Sequence, residues 1–221
     1  MRPWGAEAFH ATDFYNGADV FCRKRPNGTP DSDRVARFNA DSRRIPVLIG
    51  NAIRQCFVIS FKEREFESVA PPEWRAHFVS LNGVAAQIAA VAIGYWADRV
   101  KFGGNIAYII EAGDDGDEMD AALRRTFNNP ARRAQARMAA HPLVIPKGNA
   151  RGLEASDFLA WHWNKFYVDR VASAEPRKVR NDFAAFVKFR AERVQINLFS
   201  GEYLERFLIE NGCNRTPPNR M

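Results

Sequence analysis

Residues 105–111 read Asn-Ile-Ala-Tyr-Ile-Ile-Glu, a continuous apolar run that ends on a carboxylate. A run this short, apolar at nearly every position and followed by the turn residues 113–116 (GDDG), predicts a strand buried on both faces. In open α/β sheets the functional crevice lies beyond the carboxyl ends of the strands. Glu111 is therefore a candidate functional acid. The alternative is that Glu111 marks the point where the strand reaches solvent.

Residues 152–161 (GLEASDFLAW) show a helical apolar pattern with Asp157 inside it. The helix is apolar over most of its girth, and an ionised carboxylate is costly to bury without a partner. Three partners remain open for Asp157: a metal ion, an Arg or Lys side chain, or a backbone N–H near a helix start. The functional interpretation is that Asp157 and the strand-end acid bind the same metal ion.

The order of elements along the chain predicts an α/β fold with a small, mostly parallel sheet flanked by many helices. Strands are expected at 56–61, 105–111 and 142–146. Helices are expected from the cap at 31–33 toward Asn51, with Pro46 kinking or dividing this helix. A long helical region is expected after 71–72, with a break near 82–83 and, in its second half, an apolar stripe from Val84 to Tyr95. Further helices are expected from Asp117 to the break at 129–130, over the basic residues 132–137, and at 153–171, 176–193 and 201–210. Three strands make a small sheet for so many helices.

The amino-acid composition limits the classes to which this protein can belong. The 221 residues, 46% of them hydrophobic, suffice for one domain over residues 1–210, followed by a flexible tail at 211–221. The net charge of +6 permits an anionic partner such as nucleic acid. No apolar run approaches the roughly 18 residues that span a bilayer, so no membrane partner is expected. Three widely separated cysteines predict a reduced, cytoplasmic protein.

Several common kinds of binding or catalytic site are excluded, because the residues that form them are absent or wrongly spaced. There is no Walker loop, no Gly-x-Gly-x-x-Gly and no Gly-x-Ser-x-Gly. The acidic run at 114–118 lacks the alternation of an EF-hand, and the four histidines lack the spacing of zinc ligands. The Arg pairs at 43–44, 124–125 and 132–133 either contact phosphate or form solvated helix faces.

The order of four segments is more specific than any one of them. These are residues 9–14 (FHATDF), the strand ending in 111–114 (EAGD), a strand leading to Lys147, and the helix at 153–161 (LEASDFLAW). Over roughly residues 8–170 this order resembles the bacterial "domain of unknown function 3800" family, whose members end in a Leu-Gln-x-Ala-Asp-Leu-Leu-Ala-like helix and look like ribonuclease-H-type folds. Glu154 replaces the usual Gln and Ser156 the usual Ala.

The resemblance implies a site and a chemistry. In ribonuclease-H-like folds, acids from a first strand, a central strand and a final helix gather around divalent metal ions, which activate water for phosphodiester cleavage. Here Glu111 would be the central-strand acid and Asp157 the helix acid, both catalytic and both ligands of Mg²⁺ or Mn²⁺. Asp114 would be an auxiliary metal ligand. Glu154 would be a further auxiliary or a substrate contact. Lys147 would contact phosphate or neutralise the acidic cluster, and His10 would contact a nucleic-acid substrate.

One departure from the family affects this expectation. Family members usually begin with a strand reading like Tyr-x-Asp-Glu-Ser-Gly-Asp, and nothing of that kind precedes His10. The first acid and the N-terminal strands are therefore expected to be missing, through an upstream start or a truncated form. Whether the chain is an enzyme stays open.

Two further alternatives follow from an incomplete acidic cluster. A non-catalytic binding or interaction module would keep the fold, and a protein partner would then cover the exposed sheet edge. A small-molecule enzyme using the crevice beyond Glu111 is the third alternative.

Overall fold

The computed structural model describes residues 11–18, 21–69, 80–146, 148–171, 184 and 193–210. Over these residues the chain is a mixed α/β protein in which helix predominates. The helices are α1 Ala11–Asn16, α2 Ser32–Ala52, α3 Glu63–Val69, α4 Leu81–Arg99, α5 Asp114–Asn128, α6 Pro130–Gln135, α7 Arg151–Phe166, which continues as a π-helical turn over Tyr167–Val171, and α8 Gly201–Glu210. The strands are β1 Cys56–Phe61, β2 Ile109–Glu111, β3 Leu143–Ile145 and β4 Val194–Phe199.

The chain divides into two compact units, each described by itself below. The first unit comprises residues 1–58 and 146–195, and the second comprises residues 59–145 and 196–221. The boundary falls within β1 and within β4, so each of these strands contributes residues to both units. One domain over residues 1–210 stays a prediction, and the tail at 211–221 lies outside the described residues. Among the helices of the described ranges, none has the length and apolarity that crossing a bilayer requires.

Helix α2 of the first unit begins where the sequence predicts a cap. Asp31 accepts the backbone N–H groups of Asp33 and Arg34 at 3.1 and 3.2 Å, which satisfies donors that a first helical turn leaves unpaired. Pro46 lies inside this 21-residue helix, so the expectation that it divides the helix is wrong. Burial of Pro46 and of the neighbouring Ile45 holds the helix together where one backbone hydrogen bond is missing.

The core of the first unit is rich in aromatic side chains. Its buried members come from α1, α2, α7 and the loop between α1 and α2: Ala11, Phe14, Tyr15, Phe21, Ile45, Ile49, Phe158 and Leu159. Helix α1 packs directly on α7. Arg23 fixes the end of α1, because its guanidinium donates to the carbonyl oxygens of Phe14 and Tyr15 and lies 4.2 Å from the centre of the Phe38 ring.

The second unit is built on α4 and α5, which pack along each other. The predicted break near residues 82–83 corresponds to the start of α4, where the Ser80 hydroxyl accepts the N–H of Gly83. Val84 and Ile88 of the expected stripe are buried, but Tyr95 is 62% exposed, so the stripe does not extend that far. Residues 70–79 lie outside the described part of the chain.

The strands of the second unit are shorter than the sequence predicts. Only residues 109–111 form β2, and Ile106 makes a single parallel bridge to Met138. Ile109 is 47% exposed, so burial on both faces is wrong for this strand. The reason is that one face of β2 meets the core at Ile110 whereas the other meets solvent. The predicted parallel pairing is confirmed between β2 and β3.

The remaining strands form a separate two-stranded sheet of β1 and β4. Strand β1 is confirmed over the predicted residues and is half-buried at every position. Strand β4 was not expected. Its sequence, VQINLF, alternates apolar and polar residues over its first five positions, which is a strand signal. The helix predicted over 176–193 falls, apart from Ala184, outside the described residues.

Candidate functional site

The carboxyl ends of β2 and β3, called the carboxyl edge below, carry Glu111. In the parallel register Ile109 lies opposite Leu143 and Glu111 lies opposite Ile145. The N–H of Ala112 continues the ladder by donating to the Ile145 carbonyl at 2.9 Å. Glu111 is therefore the last strand residue, as the sequence predicts, and it is half-buried there.

Helix α5 begins immediately beyond the carboxyl edge. Gly113 precedes it with a φ of +148°, a conformation that L side chains rarely adopt. Gly116 lies in the first turn, where a Cβ would be 2.1 Å from the carbonyl oxygen of Glu111. These two glycines let the chain pass from β2 into α5 within two residues. The expected turn over 113–116 is therefore wrong, since Asp114 is already helical.

Two acids near the start of α5 lie close to the same amide group. Asp115 accepts a hydrogen bond from the Asn82 amide at 2.9 Å, and Glu118 lies 3.5 Å from the same nitrogen. This pairing ties α4 to the first turn of α5. Asp114 is the first residue of α5, but its side chain lies outside what the structure describes. Lys147 and His10 lie outside the described residues. The assignments of these three residues stay predictions.

Asp157 of the first unit has a backbone partner. Its Oδ2 accepts the N–H of Ala11 at 2.9 Å, and Ala11 is the first residue of α1. A carboxylate at a helix N-terminus satisfies an unpaired donor and interacts favourably with the helix dipole. Of the three partners left open by the sequence, a backbone N–H is observed, though it belongs to another helix. A metal role for Asp157 stays a prediction.

Glu154 lies on the same helix, three residues before Asp157. Side chains at this spacing share one face of an α-helix. Glu154 is 9% exposed, which is unusual for a carboxylate. The structure therefore places two of the predicted site residues, Glu154 and Asp157, on one face of α7.

His162, one of the four scattered histidines, belongs to the aromatic core of the first unit. Its Nε2 lies 2.9 Å from the Tyr15 hydroxyl, and both residues are buried. The Tyr15 ring stacks on Trp161 with centroids 4.4 Å apart and planes 8° from parallel. This arrangement explains why α7 is apolar over most of its girth: it faces an aromatic cluster.

Two half-buried ionisable groups have shifted pKa values. Burial raises the pKa of the Cys56 thiol from 9.0 to about 11. Burial also raises the pKa of the Tyr108 hydroxyl above its usual range. The Tyr108 oxygen lies 2.8 Å from the carbonyl oxygen of Ala136 and 3.2 Å from that of Ala90. Both groups are uncharged at neutral pH, which suits a packing role.

The predicted acids thus fall into two places. Glu111 lies in the second unit, whereas Glu154 and Asp157 lie in the first. Across the described residues, no three or more His, Cys, Asp or Glu side chains are grouped so as to hold a metal ion. What the structure brings together is Glu111 with the start of α5, and Asp157 with the start of α1.

The sequence did not predict a pocket in the second unit, which is lined by Asn105, Phe127, Asn128, Pro130, Arg133, Ala134, Arg137 and Met138. One feature of this pocket is visible in the sequence: Arg133 and Arg137 are four residues apart, on either side of the end of α6. Only the fold shows that Asn105 and Phe127 join them.

Comparisons of this chain with protein-family models, with curated proteins and with solved structures give no match. The resemblance carried by residues 153–161 therefore stays a prediction.

Proposed function

We propose that the protein has a ribonuclease-H-like fold and cleaves nucleic-acid phosphodiesters with Mg²⁺ or Mn²⁺. The supporting observation is the position of Glu111 at the end of β2, in parallel pairing with β3. Ligands of open parallel sheets bind beyond that edge, and carboxylate oxygens are the ligands that these hard cations prefer. Glu111 ends β2 at this edge, and the acids of α5 follow immediately beyond it.

The described residues near this edge supply only part of the ligand set that a divalent ion needs. Glu111 supplies one carboxylate, and Asp114 begins the helix that follows it. A bound divalent ion would supply Lewis-acid stabilisation and a nucleophilic water. The protein's own contribution is to hold Glu111 rigidly, because the ladder bond at Ala112 and the close approach of Gly116 fix its backbone.

The net charge of +6 supports a polyanionic substrate. Arg43 and Arg44 are exposed on α2, and Arg124 and Arg133 are exposed on α5 and α6. Basic side chains that contact phosphates release counterions, so we expect binding of single- or double-stranded DNA or RNA to weaken steeply as salt is raised.

The test compares Glu111→Gln with Glu67→Gln, the same substitution at an exposed site on α3. Fluorescently labelled DNA and RNA are incubated with Mn²⁺ or Mg²⁺, and Mn²⁺ binding is titrated in parallel. We expect Glu111→Gln to abolish cleavage and weaken Mn²⁺ binding, whereas Glu67→Gln changes neither. Wild-type protein that cleaves no nucleic acid with either ion would contradict the proposal.

Asp157→Asn locates the second ligand. Loss of Mn²⁺ binding in both Asp157→Asn and Glu111→Gln supports the acidic cluster that the resemblance implies. Loss in Glu111→Gln alone confines the ion to the second unit. Unchanged Mn²⁺ affinity in both variants removes the metal from the proposal.

A second candidate is a non-catalytic binding module, which the hydrogen bond from Ala11 to Asp157 favours. This bond gives Asp157 a structural role. The module predicts nucleic-acid binding that weakens with salt and no metal-dependent cleavage. Binding of a protein partner that is insensitive to salt would favour an interaction role instead.

A further inference from the structure

An open pocket of about 610 Å³ lies at the end of α6 in the second unit. The residues that line it include two arginines, two asparagines and a phenylalanine: Arg133, Arg137, Asn105, Asn128 and Phe127. Sites for small ligands commonly have volumes of about 300–1,000 Å³ and combine apolar surface with a few polar groups.

The pocket is distinct from the carboxyl edge. Ile106 and Met138 form a parallel bridge, and both residues precede the strands β2 and β3. Met138 lines the pocket, so the pocket lies at the amino ends of the two strands. Glu111 lies at the opposite end of β2.

Arg133 is held over a ring. The centre of its guanidinium lies 4.2 Å from the centroid of the Phe127 ring, and the His141 ring centroid lies 4.2 Å from the same ring. Within the described residues, no carboxylate forms an ion pair with Arg133. A planar guanidinium fixed over an aromatic ring is a surface on which a nucleobase can stack, and its N–H groups bind phosphate oxygens.

Arg137 occupies a backbone position that favours glycine. Its φ is +51°, and it follows the last turn of α6. The N–H of Met138 donates to the Arg133 carbonyl and the N–H of Arg137 donates to the Ala134 carbonyl, which is the hydrogen-bonding pattern of a Schellman cap. Glycine would adopt this conformation with less strain. The chain therefore has an arginine with a strained backbone at a position that lines the pocket.

The Arg137 side chain retains free donors. It makes one 3.2 Å contact with Asp98, whose side chain is 65% exposed. A guanidinium has five N–H donors, so this ion pair leaves several for a ligand. The carbonyl groups at the end of α6 are already hydrogen-bonded to Ala136, Arg137 and Met138, which limits their repulsion of an anion.

We infer that this pocket binds a nucleotide, with phosphate oxygens accepting from Arg137 and the base stacking on Arg133. The ligand is either a free mononucleotide or one unit of a single strand. This inference does not rest on metal-dependent cleavage, because its residues are separate from Glu111.

The test measures binding of AMP, inorganic phosphate and a ten-residue single-stranded oligonucleotide by calorimetry without divalent ions. We expect Arg133→Ala and Arg137→Gly each to weaken AMP binding by about tenfold or more, as expected for loss of a charged hydrogen bond. Arg64→Ala, which removes an exposed arginine on α3, is the matched control and should change nothing. Arg137→Gly should also melt at the same or a higher temperature than wild type, because it relieves the strained backbone.

Tighter binding of the oligonucleotide than of AMP would identify a strand as the ligand, and equal binding would identify a free nucleotide. Three outcomes would overturn the inference: no binding of either ligand by wild-type protein, equal weakening by Arg133→Ala and Arg64→Ala, or inorganic phosphate binding as tightly as AMP.

Discussion

Glu111 and Asp157 follow similar apolar patterns, yet their surroundings in the two units differ. In the first unit, Asp157 receives a backbone N–H from Ala11 and joins α7 to α1. In the second unit, Glu111 ends a parallel strand and is followed by a helix that two glycines bring close. An acid within an apolar pattern can therefore accept a backbone N–H from another helix, as Asp157 does, or end a strand at a sheet edge, as Glu111 does.

The largest expected effect comes from two glycines in matched positions. Gly116 lies in the first turn of α5, and Gly152 lies in the first turn of α7. A Cβ at Gly116 would meet the Glu111 carbonyl oxygen, whereas one at Gly152 would meet nothing within 4 Å. We expect Gly116→Ala to destabilise the protein by about 3 kcal/mol through overpacking. Gly152→Ala should stabilise α7 by up to about 1 kcal/mol.

Urea denaturation of both glycine variants measures this difference. If Gly116→Ala were as stable as Gly152→Ala, α5 would not depend on its close approach to β2. The rigid backbone assigned to Glu111 would then lose its support.

Removing a tyrosine hydroxyl from each unit is expected to have the next largest effect. Tyr15→Phe leaves the buried Nε2 of His162 without its 2.9 Å partner. We expect a loss of about 2 kcal/mol, since a buried polar group left unpaired costs its desolvation. Tyr108→Phe removes a hydroxyl near the carbonyl groups of Ala90 and Ala136 and should cost less, about 1 kcal/mol.

Thermal melting of the two tyrosine variants, read by circular dichroism, compares these losses. A larger loss in Tyr108→Phe would show that the aromatic core of the first unit does not depend on the bond between Tyr15 and His162.

The cap of α1 is expected to have a smaller effect. Asp157→Ala removes the acceptor of the Ala11 N–H and should destabilise the protein by about 1 kcal/mol. Asp157→Asn keeps an acceptor oxygen and should lose less than half of that. Amide hydrogen exchange at Ala11 measures the bond directly. Unchanged exchange in Asp157→Ala would contradict the structural role of this carboxylate.

Raising the pH to 9 should produce the smallest effect. With the pKa of Cys56 raised to about 11, its thiol is about 1% ionised at pH 9, whereas the unfolded chain with a pKa of 9.0 is half ionised. The associated stability is present below pH 9 and is lost as pH rises toward 11. Alkylation of Cys56 at pH 9, followed by peptide mass, should be much slower in folded protein than in guanidinium. Equal rates would contradict its burial.

Local signals in the sequence predicted several elements correctly. Asp31 caps α2, and residues 129–130 separate α5 from α6, because capping and the loss of a proline N–H act within a few residues. The paired strands β2 and β3 were expected because apolar runs alternate with helices. Their short length was not, since solvent exposure of Ile109 depends on what covers the sheet.

Long-range contacts account for most of what the sequence could not predict. The bond between Asp157 and Ala11 joins residues 146 positions apart. Two other features are local, but their sequence patterns were not recognised. The start of α5 at Asp114 depends on the fit of Gly116 against the carbonyl of Glu111 in the same stretch of chain. The positive φ of Arg137 belongs to the cap at the end of α6.

Titration of the protein with Mn²⁺, followed by electron paramagnetic resonance of the free ion, tests the role of Glu111 most directly. We predict that wild-type protein and Glu67→Gln bind Mn²⁺ equally. Glu111→Gln should bind it at least about tenfold more weakly, as expected when a charged ligand is lost. Mn²⁺ affinity that is the same in Glu111→Gln and wild type would contradict the assignment of Glu111 as the functional acid of the carboxyl edge.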